Sequence, residues 1–222
     1  FWLCQGSGQA LNENITGDKW PSKDIRNARL KESVEIIKEL WKGDYVTHHG
    51  IIKLENAKLF TSPETTPQIY GAAITEKTAK WLSSWAGGMI TISKPIEDLK
   101  KMVDAFRQGD NKKPLALKVQ VSYASSEEKA LEGAWEKWKN NIFPSKLISE
   151  INTADQFDAL GESVRKQDLH EHVIISNDPQ IFINKIKSFA ELGFEKIIIH
   201  NVNEDQEEFI DFFGSKVLPG FS

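Results

Sequence analysis

The chain has 222 residues, 40% of them hydrophobic, which is enough for a substantial core in one large domain or two small ones. Twenty-eight basic side chains against 32 acidic ones leave a formal charge of −4, so there is no basic field to attract nucleic acid. No apolar run reaches the roughly 18 residues of a membrane span and no signal-peptide pattern opens the chain, so the expected address is the cytoplasm, with no membrane partner.

The single cysteine, Cys4, excludes an internal disulfide framework. It lies in the opening run "FWLCQ", which reads as a strand, and that setting predicts a buried thiol. The chain starts inside this strand with no polar lead-in, which reads as a protein whose beginning is missing. After it comes "GSGQALNE", eight residues dense in polar groups. A helix is predicted over 29–42, where Leu30, Val34, Ile37 and Trp41 recur at helical spacing and Gly43 suits the C-terminal cap. Short β-prone pieces between 45 and 60 form an excursion.

The alternation then becomes regular. "QIYGAA" is a strand, "TEKTAKWLSSW" a helix capped by Thr75, and "MITIS" a second strand. Pro95 opens a helix over 95–109 with Ile96, Leu99, Val103 and Phe106 on one side. In "LALKVQVSY" Leu115, Leu117, Val119 and Val121 share one face of a strand, and Ala116, Lys118, Gln120 and Ser122 the other. The next helix begins in "SSEEKALEGAWEKWK", where Ser125 and Glu128 have capping-box spacing. A less regular stretch covers 140–167. A clean helix follows over 177–193, with Pro179 near its start and Gly193 past its end. "EKIIIHNV" and "DQEEFIDFFGSKVL" supply the last strand and helix.

Five successive strand-then-helix units are the grammar of a parallel sheet with helical crossovers. A doubly wound open sheet fits that count. Polar residues, however, crowd the strand ends at 6–12, 73–75, 93–94, Tyr123 and 200–201, and several strand ends converging on one site is how an eight-stranded barrel builds its active face.

The stretches "GSGQALNENITGDKWP", "NARLKESVEIIKELWKGDYVTHHG", "IYGAAITEKTAKW", "WAGGMIT" and "HNV" with "FIDFFGSKVLP" resemble the luciferase-like superfamily of flavin and deazaflavin oxidoreductases. Within it they are most similar to the branch of the deazaflavin-dependent glucose-6-phosphate dehydrogenase, while "NITGDKWP" and "HNV" are more like a sub-branch that uses an ordinary flavin. The likeness covers essentially the whole chain. It implies an α/β fold, a (β/α)8 TIM-type barrel, of which residues 1–222 are a single domain carrying about strands four to eight and lacking the first three. It implies FMN as cofactor, with coenzyme F420 as the alternative, a small-molecule substrate, and assembly as a homo-oligomer.

Carried over residue by residue, the resemblance sets Gln9 where the deazaflavin branch has a glutamate beside ring and substrate. Gln9 cannot exchange a proton near neutral pH, but it can orient a carbonyl edge or a hydroxyl. Ser7 and Asn12 fall on cofactor contacts; the other reading of this loop is a glycine-rich turn with Asn12 as a turn or cap residue. The stretch Ala72, Ala73, Ile74 and Thr75 matches a phosphate-binding loop that usually carries glycines at the last two positions. Here Ile74 is β-branched and Glu76 brings a negative charge, so Thr75 either compensates through its hydroxyl and N–H or is a simple N-cap. Gly87 and Gly88 match a second glycine-rich segment or make a helix-to-strand turn. Lys94 falls within one residue of a lysine that holds substrate phosphate, or is a solvated loop charge, and His172 stands near where the sugar-phosphate branch has an arginine. A sugar phosphate is therefore not expected as the substrate.

His200 and Asn201 close the last strand, where barrel enzymes keep functional groups, and His200 joins Gln9 as a catalytic candidate against the alternative of a hydrogen-bonded structural histidine. His48 and His49 are adjacent, so on extended chain they point apart, and no metal-ligand spacing is visible. Trp41, Trp135 and Trp138 sit on helical apolar stripes and read as core or subunit interface. The leading function is a flavin-dependent oxidoreductase of the luciferase-like monooxygenase class. The alternatives are an F420-dependent dehydrogenase of an alcohol or sugar, and a catalytically silent truncated relative acting only through association.

Overall fold

The computed structural model describes residues 1–108 and 112–221. In chain order the elements are β1 (Trp2–Gln5), α1 (Ala10–Glu13), α2 (Lys23–Leu40), β2 (Val46–His49), β3 (Lys53–Ala57), β4 (Gln68–Ala72), α3 (Glu76–Leu82), β5 (Gly88–Ile92) and α4 (Ile96–Phe106). They continue with β6 (Leu115–Ser122), α5 (Glu127–Trp138), α6 (Ser145–Ile148), α7 (Ala154–Gly161), β7 (Ile174–Ile175), α8 (Pro179–Ala190), β8 (Lys196–Asn201) and α9 (Gln206–Phe212), which runs on into a π-helical turn, Phe213–Val217.

Five strands pair in parallel in the order β1, β4, β5, β6, β8. That order advances in one direction, without the reversal of a doubly wound sheet. Right-handed crossovers then place every connecting helix on the same face, and the sheet curls around the other: this is a barrel arc. The two-residue β7 sits at the tip of β6. The Lys118 and Ser122 carbonyls accept from Ser93 and Ser176 on one edge, while the Val121 carbonyl accepts from Val202 on the other. So β7 occupies the edge that β5 uses lower down.

The helix-facing side of the sheet is dry. Leu115, Leu117, Val119 and Val121 are fully buried against Leu99, Val103 and Phe106 of α4 and Phe182, Ile186 and Phe189 of α8, as the alternation in "LALKVQVSY" predicts. Each such side chain stabilises the fold by about 1.5–3 kcal/mol. The excursion is an antiparallel hairpin of β2 and β3. It is fastened to α2 by the Glu32 carboxylate, which accepts from the Ile52 N–H and His48 Nε2, both at 2.8 Å.

Several expectations change. Cys4 is exposed, because it points to the inner face of the arc, away from the helices. The first long helix starts at Lys23, six residues before the expected start at residue 29, since the buried residue of its first turn is Arg26, stacked 4.1 Å from the Trp20 ring. The cap of α5 is Ser126, whose hydroxyl accepts from the Lys129 N–H, and not Ser125. α4 ends at Phe106; the last residue expected in it, Gly109, lies outside the described residues.

Between β6 and β7 the chain does not cross directly but folds over the carboxyl ends of the strands as a roof built from α5, α6 and α7. At one end the Ser122 hydroxyl donates to the Ala130 carbonyl at 2.6 Å, and Gly133 packs so closely on Asn203 that a Cβ there would overlap it. At the other end the Ala10 N–H donates to the Ser149 carbonyl at 3.1 Å, Arg26 meets Glu150 at 3.5 Å, and Asn14 bonds Asn152. The roof therefore links the tips of β6 and β8 to the loop after β1.

Candidate active site on the inner face of the arc

Register fixes which side chains face inward. Cys4 pairs with Tyr70, Tyr70 with Gly88, Ala72 with Ile90, Ile90 with Ala116, Ile92 with Lys118, and Lys118 with Ile198. At the bottom, Tyr70 lies flat over Gly88, where a Cβ would come within 2.7 Å of the ring, and its hydroxyl accepts from Lys196 Nζ at 2.9 Å. Trp2 packs on the same ring with centroids 4.7 Å apart. These residues make a floor, above which Ile90 and Ala116 form an apolar bed, and above them Lys118 stands between Ile92 and Ile198.

The rim above that bed carries polar groups at most strand tips. It begins at the loop after β1, where Gly8 takes φ +79° and leaves no room for a Cβ beside the Glu13 carboxylate and Trp20. Glu13 in turn pairs with Arg29 at 2.6 Å, so this glycine is required by the loop's own ion pair. Ser7 accepts from Lys23 Nζ at 2.5 Å. The carboxamide of Gln9 is exposed and has no hydrogen-bond partner among the described residues, and Asn12 is also exposed. Gly6 lies beside Ala72, which carries the rim to β4.

At the β4 loop Ala73 is buried in the helix-side core and its N–H donates to the Ile90 carbonyl. The Thr75 hydroxyl accepts from the Thr78 N–H at 3.2 Å and so is engaged as the cap of α3. Ile74 is partly exposed, and its carbonyl accepts from Lys94 Nζ at 2.5 Å, joining the β4 and β5 tips. Burial lowers the Lys94 pKa, with Asp98 opposing. Next along, the Ser93 hydroxyl donates to Gln120 Oε1 at 2.9 Å, and Gln120 pairs in register with His200.

His200 meets Trp138 of the roof edge-to-face, centroids 5.0 Å apart, and Lys118 Nζ stands 5.8 Å over the Trp138 ring. Burial, with the Lys118 cation as a second cause, holds the His200 imidazole below its ordinary pKa, so it is neutral at pH 7. Burial alone lowers the Lys118 ammonium. The rim thus gathers Ser7, Gln9, Ala72, Ile74, Lys94 and His200. His172 is exposed at the end of the helical segment Lys166–Glu171, and no described contact ties its ring to this group.

Sequence reasoning missed Lys118 and Trp138 as site residues. Lys118 did carry a signal, a cation mid-strand on the face opposite four buried aliphatics. Trp138 carried none, because its stripe on α5 reads as core. Among the described residues no group of His, Cys, Asp and Glu is arranged to hold a metal, and no helix is long and apolar enough to cross a membrane.

The F420-dependent glucose-6-phosphate dehydrogenases of Amycolatopsis mediterranei (strain U-32) and Microbacterium testaceum (strain StLB037) are each 29% identical over 98% of this chain, which spans 68% and 67% of their lengths. Among solved structures, an F420-dependent secondary alcohol dehydrogenase in complex with an F420-acetone adduct superimposes with a TM-score of 0.86 at 23% identity, over all of this chain and 69% of that one. A monooxygenase from Streptomyces bottropensis does so with a TM-score of 0.72 at 16% identity, over 100% of this chain and 69% of that one. These likenesses establish the α/β-barrel fold. The model of the luciferase-like monooxygenase family matches residues 1–196, and the chain belongs to that family of oxidoreductases.

Proposed function

We propose that this chain forms most of the catalytic barrel of a flavin-dependent oxidoreductase acting on a small organic molecule, with FMN as its cofactor. The observation that carries the reading is the set of polar groups over an apolar bed at the carboxyl ends of five parallel strands. A planar tricyclic ring needs apolar surface beneath it, with hydrogen-bonding groups at its edges, and Ile90 and Ala116, paired in register, with Gln9, Gln120 and His200 fit that need. The phosphate end departs from the deazaflavin pattern: Ile74 and Thr75 stand where the glycines are expected, Glu76 follows them, and the Ile74 carbonyl is taken up by Lys94 Nζ. That departure favours FMN. The names of the relatives favour coenzyme F420, which is the second reading.

When bound, the flavin supplies the redox chemistry. The chain's own residues orient and shield. Gln9, unpartnered among the described residues, hydrogen-bonds a carbonyl edge or a substrate hydroxyl without taking its proton. His200, neutral, is able to accept or donate a proton at the rim. The roof excludes water from above, which strengthens every polar contact beneath it. The inner face remains partly open, with Cys4 exposed and Ile198 38% exposed, and β1 and β8 each keep an edge unpaired among the described residues. Unpaired edges and exposed apolar surface support closure by further strand–helix units, in the same polypeptide or in a second copy.

Titrating FMN and F420 in parallel, with cofactor fluorescence as the readout, tests the assignment. Preferential FMN binding is expected. Tighter F420 binding overturns the choice of cofactor, and failure of both overturns the enzymatic reading of this chain.

A further inference from the structure

We propose that Lys118, His200 and Trp138 form a recognition site for a carboxylate carried on an otherwise apolar small molecule. The proposal rests on the reading of the inner face as a substrate surface and names the class of substrate it takes.

Lys118 is a cation in the middle of a strand whose other face is fully buried. Its described contact is with the face of the Trp138 ring; no ion pair among the described residues reaches it. An ammonium withdrawn from water is normally offset by a carboxylate, and here none of the described residues supplies one. On either side in register stand Ile92 and Ile198, which offer hydrocarbon and no hydrogen bond. The position therefore suits a ligand whose body is apolar and whose single charge is negative.

The neighbours fit the same ligand. His200 Nδ1 is buried without a hydrogen-bond partner, a need that an added acceptor or donor meets. The imidazole carries no charge to compete for the anion. Trp138 descends from the roof and closes the group from above, so a carboxylate at Lys118 lies beneath an indole and between two isoleucines.

Calorimetric titration of the 222-residue chain with hexanoate and benzoate, against hexanamide and benzamide, tests the site. Each acid is expected to bind about tenfold or more tightly than its amide, the effect of one charge-assisted hydrogen bond. Lys118→Met is expected to erase that preference while amide binding stays the same, and Lys118→Arg to retain part of it. If Lys118→Met unfolds, Lys118→Gln takes its place. In the same variant the His200 imidazole, followed by NMR, is expected to titrate at higher pH because the neighbouring cation is gone, which checks that the two side chains share the site. Equal affinity for acids and amides, no binding of either, or an undiminished preference in both variants overturns the proposal. FMN titrated alongside separates the two readings. Acid selectivity without flavin binding leaves this site standing and removes the flavin, whereas flavin binding without selectivity does the reverse.

Discussion

The two faces of β6 carry the same number of side chains and play opposite parts. Toward the helices stand Leu115, Leu117, Val119 and Val121, all fully buried; toward the interior stand Ala116, Lys118, Gln120 and Ser122. The first set could be exchanged for other aliphatics of equal volume with little consequence for chemistry. Of the second, Lys118 could be made apolar with little loss of stability, while Gln120 and Ser122 tie the strand to the β5 tip and to the roof. One strand thus separates what holds the arc together from what the arc does, and the period-2 geometry of a strand is what permits it.

That contrast can be broken most forcefully from the outer side. Leu117→Ala is expected to cost about 2–5 kcal/mol, read as a lower urea midpoint, because the cavity lies where α4 and α8 cannot collapse into it. A loss below about 1 kcal/mol would show that the helix-side core is not close-packed. Thr75→Ala sharpens the comparison at a rim position that serves the scaffold. Because its hydroxyl is committed to the Thr78 N–H, the change is expected to cost about 1 kcal/mol of stability. Cofactor affinity is expected to hold, and a large loss of it with stability unchanged would reassign the hydroxyl to a ligand.

Lys118→Met probes the inner side alone. Removing a half-buried ammonium with no acidic partner among the described residues is expected to leave the urea midpoint unchanged or raise stability by up to about 1 kcal/mol, the usual exchange at a functional position. The smallest effect is one of slope. The Glu32 carboxyl is held below its ordinary value, first by the Ile52 N–H and then by His48. A depressed carboxylate contributes stability above its unfolded pKa and loses that contribution as the pH falls through the folded one. Glu32→Gln is therefore expected to flatten the decline in stability below the ordinary value of 4.5, with urea midpoints across that range as the measurement.

Much of the fold was legible because its signals are local. Alternation in "LALKVQVSY", the Asp178 and Pro179 start of α8, and the left-handed Gly43 and Gly193 each depend on a few neighbours in sequence. The start of α2 was not, since a periodicity of apolar residues cannot register Arg26, a charged side chain that is 3% exposed because Trp20 covers it. Cys4 misled for a related reason: an apolar strand predicts burial only if both faces are covered. Of the roof only its first helix, α5, was legible; α6 and α7 fell in the stretch read as less regular, and what the roof touches was hidden. Ser149 meets Ala10, and Glu150 meets Arg26, across more than 120 positions, and no local pattern encodes such meetings. The rim was half legible, its strand-tip residues in place and its partner from the roof, Trp138, hidden among core-like stripes.

The roof has one more consequence. Anchored at the tips of β6 and β8 at one end and at the loop after β1 at the other, it acts as a hasp between the two edge strands of the arc. Shortening 140–150 would draw the hasp down over the mouth and narrow it; lengthening it would admit bulkier guests. The bore of the vessel is thereby governed by a single excursion of the chain, free to vary while the staves keep their positions.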